Sequence, residues 1–185
     1  MTGQKKQARF LPARVTFLEM RARPLRRLPA LAVVHGGRSL ALMRAEDCPV
    51  HFYRYLYEQI GRPHHWHMRR HQSDAALAAI LQAENTILQI LYCGGCPAGF
   101  AETILHKKGE SSEAELLYFG LMRDYQGRGF SRLFLDEIVQ TAWAVEIDKM
   151  RVQTNSLDSP RALQLYQQIG FTPIAVKNVE IEAWD

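Results

Sequence analysis

The sequence predicts one α/β domain: a mixed, mostly antiparallel sheet with helices on both faces. Three observations carry that expectation. Glu115 to Met122 is an apolar and aromatic run that reads as a buried strand, and after a turn at Arg123-Asp124-Tyr125 the segment Gln126-Gly127-Arg128-Gly129 opens a helix. In that helix Phe130, Leu133, Phe134, Ile138 and Ala142 recur at helical spacing. Second, Thr86 to Cys93 and Pro97 to Leu105 are strand-like runs meeting at Gly94-Gly95, a hairpin signal. Third, Val50 to Ile60 and Ala75 to Leu81 read as two successive helices.

In chain order, Arg14 to Met20 alternates enough to be a first strand, and Pro24 and Pro29 then predict an extended connector from Arg21 to Ala30. Leu31 to Val34 and Ser39 to Arg44 bracket His35-Gly36-Gly37-Arg38, which suits either a small hairpin or an irregular loop. Val50, Tyr53, Leu56, Tyr57 and Ile60 form one face of the first helix, which Gly61 and Pro63 stop. Ser73 is a good N-cap for the second helix, and Asn85 ends it. A polar loop, His106 to Ser112, leads to the strand at Glu115, and Met150 to Gln153 is the next strand. Ser159 or Pro160 starts a helix to about Ile169, closed by Gly170. Phe171 to Val176 and Val179 to Trp184 predict a closing strand pair.

A chain of 185 residues can bury about 70% of its unfolded surface as a single domain. With 47% hydrophobic and 23% charged residues and no membrane-length apolar run, it reads as a soluble globular protein. The basic start lacks a signal peptide's apolar core, and three cysteines fit a reducing compartment, so a cytoplasmic location is expected. The net charge of +4 is uneven: Lys5, Lys6, Arg9, Arg14, Arg21, Arg23, Arg26 and Arg27 face only Glu19. That pattern suits a nucleic-acid arm or a solvated terminus drawing in an anionic ligand. Without aromatic interleaving or an RNA-binding motif, the second is preferred. Residues 1–13 are therefore expected to be a basic N-terminal segment and 14–185 the domain.

The strand–loop–helix stretch has a chemical use. The first turn of a helix carries amides without partners, and its dipole favours an anion there. Glycines let a bulky anion approach, and Arg128 and Arg132 add charge, so the stretch reads as a pyrophosphate cradle or, alternatively, as a plain glycine turn between core elements. It is neither a Walker loop nor the three-glycine dinucleotide fingerprint. Gln126-x-x-Gly129-x-Ser131 resembles the Gln/Arg-x-x-Gly-x-Gly/Ala signature of the GNAT family, the Gcn5-related N-acetyltransferases. The late block Asn155 to Phe171, with Ala162, Leu165-Tyr166 and Gly170-Phe171, resembles a second segment of that family. Ser131 departs from the usual Gly or Ala.

The resemblance implies a GNAT-like sheet splayed in the middle and a cosubstrate, acetyl-coenzyme A, lying beside the strand end Phe119-Gly120-Leu121. It places the pyrophosphate over Gln126, Gly127, Arg128, Gly129, Phe130, Ser131 and Arg132, and a cofactor contact at Asn155. Tyr166 matches the family tyrosine that can protonate the leaving thiolate, although it could instead only pack against the pantetheine. Glu115, by its spacing from Gln126, and Glu102, on the neighbouring strand, are the candidate bases; many relatives use water chains instead. The acceptor pocket is expected on the first helix and its loop, at Tyr53, Arg54, Tyr57, Trp66 and His67. Their aromatic and basic character suits a small amine with an anionic or flat part.

The function implied is direct transfer of acetyl to a small-molecule amine. The alternatives are a protein N-terminal or lysine acetyltransferase, or a silent acyl-coenzyme A sensor. No membrane partner, no nucleic acid and no metal are expected, and a homodimer is left open. Cys93-Gly-Gly-Cys96 and the histidines at 64, 65, 67 and 71 have metal-like spacing, but a hairpin cysteine pair and loop histidines are weak signals.

Overall fold

The computed structural model describes residues 8–25, 34–35 and 37–184. Lys5, Lys6, Arg26 and Arg27 of the basic segment lie outside the described residues. The strands are β1 (Phe10–Met20), β2 (Val34–His35), β3 (Arg38–Arg44), β4 (Thr86–Cys93), β5 (Cys96–Lys108), β6 (Ser111–Leu121), β7 (Lys149–Asn155) and β8 (Thr172–Glu182). The helices are α1 (Val50–Gly61), α2 (Asp74–Leu81), α3 (Phe130–Ala142) and α4 (Ala162–Ile169). Among the described residues no helix is long and apolar enough to cross a membrane.

The strand order is β2-β3-β4-β5-β6-β7-β1-β8. Every pairing is antiparallel except β6 with β7. That parallel pair is short: it runs from Glu113↔Lys149 to Leu116↔Val152. Beyond it, β6 continues to Leu121 against β5, and β7 continues to Asn155 against β1. The two halves of the sheet therefore part after Leu116. A bulge sits at the same point, because Glu102 faces Tyr118 and Thr103 faces Leu116, leaving Leu117 unpaired on β5. An extra residue bends a strand and raises its twist, which turns the end of β6 away from β7.

Two cores flank the sheet. Tyr53, Leu56, Tyr57 and Ile60 of α1, with Leu77 and Leu81 of α2, pack on Leu88, Ile90, Phe100 and Tyr118. Phe130, Phe134, Leu135 and Ile138 of α3, with Tyr166 and Ile169 of α4, pack on Leu91, Ala101, Leu116, Met150 and Val152. Alternate strand residues serve alternate cores, as the period of two requires.

Several boundaries differ from the sequence expectation. β1 begins at Phe10 rather than Arg14, because Phe10 to Ala13 pair with Val179 to Glu182. The expected turn between Val176 and Val179 is absent; β8 is continuous, with Lys177 and Asn178 in register opposite Val15 and Arg14. α4 starts at Ala162, because the Asp158 carboxylate bonds backward to Thr154 and Asn155 and does not cap the helix. Ser73 caps α2 as expected, its hydroxyl accepting from the Ala76 amide at 3.2 Å.

Candidate active site

The parted strands open a cleft of about 1020 Å³. Phe119, Gly120 and Leu121 line one arm, and Gln153, Thr154 and Asn155 the other. From Leu117 onward the edge of β6 that faces β7 has no strand partner among the described residues, which suits it to pairing with an extended ligand. Gly120 lets α1 and its loop sit close to this arm: a Cβ there would collide with Ile60 and lie 3.6 Å from the Trp66 ring.

At the end of β6 the loop turns through Gly127 and Gly129, with φ of +73° and +81°. Both values suit glycine, and a Cβ at either would meet no other atom within 4 Å. Gly129 is the N-cap of α3, and no side chain caps the first turn of the helix. Gln126, Gly127, Gly129, Ser131 and Arg132 line the cleft. The Gln126 side-chain amide is already spent on the Leu121 carbonyl at 3.0 Å, tying the loop to the strand end. Arg128 does not line the cleft; its guanidinium lies over the Tyr125 ring at 5.5 Å. The side chain of Phe130 is buried in the core, so only its backbone stands at the helix start. These features fit an anion, with two glycines in the wall and Arg132 beside them.

Across the cleft stands Tyr166 on α4, its ring 6.4 Å from Phe119 and 5.9 Å from Phe171. Burial, and then the nearby Asp158 carboxylate, push its phenol well above the ordinary tyrosine range. The hydroxyl thus keeps its proton across physiological pH and can act as a donor. Asn155 lines the same arm, but its side chain closes a local turn by accepting from the Leu157 amide at 2.8 Å.

The candidate bases and acceptor residues fall in different places. Glu102 is fully buried and absent from the cleft wall; the Tyr53 hydroxyl and the Arg69 guanidinium both donate to its carboxylate. Glu115 stands on the paired part of β6, outside the cleft, 3.1 Å from His106. Trp66 and His67 line the cleft. Tyr53 and Tyr57 do not; they form the layer behind, with Tyr57 packed 5.6 Å from Trp66 and 5.1 Å from Tyr118. Arg54 is one helical step off that inward face and is tied to Asp74 at 2.7 Å and to the Gln72 carbonyl. With Arg69 and Trp184 these three line a separate cavity of about 270 Å³.

Sequence reasoning missed the residues that close the cleft. The Trp66 indole N–H donates to Asp158 at 3.4 Å, and the His64 ring meets the Leu157 carbonyl at 3.2 Å. His65 accepts from the Trp184 amide at 2.9 Å, and Arg70 donates to the Ala183 carbonyl at 3.1 Å. These contacts span about ninety positions or more, so no local pattern could signal them. Lys177 and Glu180 of β8 also line the wall. Among the described residues no group of three or more His, Cys, Asp or Glu is placed to hold a metal ion. Cys93 and Cys96 face each other across the hairpin as free thiols.

The profile of the Acetyltransferase (GNAT) family matches residues 45–171, from the turn before α1 to the end of α4. No curated protein matches the chain significantly. Among solved structures, an aminoglycoside acetyltransferase, meta-AAC0020, from an uncultured soil metagenomic sample in complex with sisomicin, is similar at a TM-score of 0.60 and 13% identity, covering 71% of this chain and 87% of that one. A second soil metagenomic aminoglycoside acetyltransferase, HMB0005, is similar at 0.57 and 17% identity, covering 71% and 91%. A GCN5-related N-acetyltransferase from Sphaerobacter thermophilus is similar at 0.60 and 15% identity; 94% of this chain is covered but only 53% of that one, so this chain spans about half its length. Identities this low speak for the fold alone, whereas the family profile covers more than half of the chain. The splayed sheet, the glycine loop and that match together place the chain in the GNAT acetyltransferase family.

Proposed function

We propose that the protein transfers an acetyl group from acetyl-coenzyme A directly to the amine of a small-molecule acceptor. The observation that carries this reading is the single cleft bearing the free edge of β6, the open glycine loop of α3 and Tyr166 together. The β6 edge from Leu117 to Leu121 would hold the pantetheine arm as an added strand, and its amides would polarise the thioester carbonyl. Gly127, Gly129 and the first amides of α3, with Arg132, would hold the pyrophosphate. Tyr166 gives its proton to the departing sulfur.

A small acceptor is favoured by the roof of the cleft. The loop after α1 crosses from Gly120 on one arm to Leu157 and Asp158 on the other, which narrows the approach that a protein substrate would need open. Trp66, His67, Lys177 and Glu180 would form the acceptor wall. The test is release of free coenzyme A thiol from acetyl-coenzyme A in the presence of phenylethylamine, glutamate, spermidine, sisomicin and a lysine-containing peptide. Turnover with a small amine supports the reading. Turnover with the peptide alone would replace it by a protein acetyltransferase, and tight binding without turnover by a sensor.

A further inference from the structure

Neither glutamate that could serve as a base reaches the cleft, so the proton that the acceptor must lose needs another destination. The imidazole and carboxylate side chains in the cleft wall are His64, His65, His67, Asp158 and Glu180. Asp158 is occupied: one oxygen takes the Thr154 hydroxyl and the Asn155 amide, each at 2.9 Å, and the other takes the Trp66 indole. Glu180 stands exposed on β8, opposite Pro12.

The two neighbouring histidines are distinguished by their partners. A backbone amide only donates, so the Nδ1 of His65 that meets the Trp184 amide carries the lone pair, and its Nε2 holds the proton. A carbonyl only accepts, so the Nδ1 of His64 that meets Leu157 carries the proton, and in the neutral ring its Nε2 keeps a lone pair. His64 is thus held in the tautomer of a base. Its position follows from the turn after α1, where the Trp66 amide bonds to the Gly61 carbonyl at 3.1 Å and His65 takes a left-handed φ of +56°. That turn lays Trp66 on Gly120 of one arm while His64 touches the loop of the other.

We propose that His64 is the general base of the transfer, acting on a small primary amine bound in the cleft beside Trp66. The proposal rests on the acetyltransferase reading above. His64 Nε2 takes one proton from the acceptor's ammonium group and passes it to solvent. The freed nitrogen lone pair forms the new N–C bond to the thioester carbon, and the C–S bond breaks with its electrons leaving on sulfur. Tyr166 protonates that sulfur and is restored by the second proton the nitrogen loses. The charged and titratable groups sharing the wall are His65 and His67 on the same loop, Asp158 and Arg161 across the cleft, Arg132 on α3, Tyr118 on β6, Tyr166 on α4, and Lys177 and Glu180 on β8. Glu58 and Arg62 pair with each other at 3.4 Å beside the turn.

The variant that separates base from anchor is His64→Asn, because the asparagine amide nitrogen falls where Nδ1 was and keeps the bond to Leu157 while Nε2 is lost. His64→Gln is the second variant if the first fails to fold, and His67→Asn tests the competing histidine of the acceptor wall. Each is assayed from pH 5 to 9 with whichever of phenylethylamine, glutamate or sisomicin turns over fastest, and acetyl-coenzyme A binding is measured by calorimetry. The expected result for the His64 variant is a loss of about 100-fold in acceptor kcat/KM at neutral pH. Its acidic limb should disappear, added imidazole should restore rate, and acetyl-coenzyme A affinity should be unchanged; His67→Asn should keep the limb. An unaltered limb, its loss in His67→Asn instead, or a parallel loss of acetyl-coenzyme A binding would overturn the assignment of His64. If the unmodified protein turns over none of the amines, the functional reading itself fails and the proposal with it.

Discussion

The two sides of the cleft are built in different ways. The cosubstrate side is local: β6, the glycine loop and α3 are continuous from Ser111 to Ala142, and most of its wall lies between Phe119 and Arg132. The acceptor side is assembled from afar. His64 and Trp66 reach residues more than ninety positions away, and His65 and Arg70 are held by the end of the chain at Trp184 and Ala183. Behind it lies a buried network in which Glu102 ties Tyr53 of α1 to Arg69 of the roof loop. The comparison teaches that the cosubstrate half should respond to local backbone chemistry, while the acceptor half should depend on contacts far from it.

The strongest test of that difference is Glu102→Ala. It leaves the Arg69 guanidinium, only 11% exposed, without its carboxylate and removes the partner of the Tyr53 hydroxyl. Breaking a buried pair by removing one member costs about 3–5 kcal/mol, so urea unfolding should show a loss of that size. Glu102→Gln should lose less and keep turnover. If Glu102→Gln instead abolished turnover in a protein as stable as the original, Glu102 would be a base after all.

Tyr166→Phe comes next. Its turnover should fall by about 100-fold or more while the acetyl-coenzyme A dissociation constant moves by less than about threefold. Because burial holds this phenol protonated, turnover should not decline on the alkaline side until above about pH 10, the ordinary tyrosine pKa. A fall in affinity matching the fall in turnover would make Tyr166 a packing residue.

On the local side, Gly129→Val puts a β-branched residue at a φ of +81° in the cleft wall. Strain of this kind costs about 1–3 kcal/mol, and calorimetry should show acetyl-coenzyme A binding weakened by about tenfold or more. Binding at full strength would remove the glycine loop from the site. The smallest effect is expected from Arg54→Ala, which breaks a surface pair with the exposed Asp74. Stability should change by less than about 1 kcal/mol, with the acceptor KM unchanged, whereas Trp66→Ala should raise that KM. A raised KM in Arg54→Ala would return this residue to the acceptor wall.

The sequence by itself determined whatever depends on neighbours along the chain. The period of α1, the Ser73 cap, the Gly94-Gly95 hairpin, and the strand, glycine loop and helix from Glu115 to Ala142 all follow from local backbone preference and patterning. The same locality made Arg54 look like a pocket residue, because its place between two tyrosines is visible in sequence while the helical face that carries it away is decided by packing. Only the tertiary structure decided where β6 and β7 part, since the bulge at Leu117 is defined by its register with β5. It also set Glu102 beneath Tyr53 and Arg69, continued β8 through Lys177 and Asn178 by pairing it with β1, and brought His64 to Leu157. Those outcomes hang on hydrogen bonds between residues far apart in the chain, whose partners become definite only when the sheet and its two cores have formed.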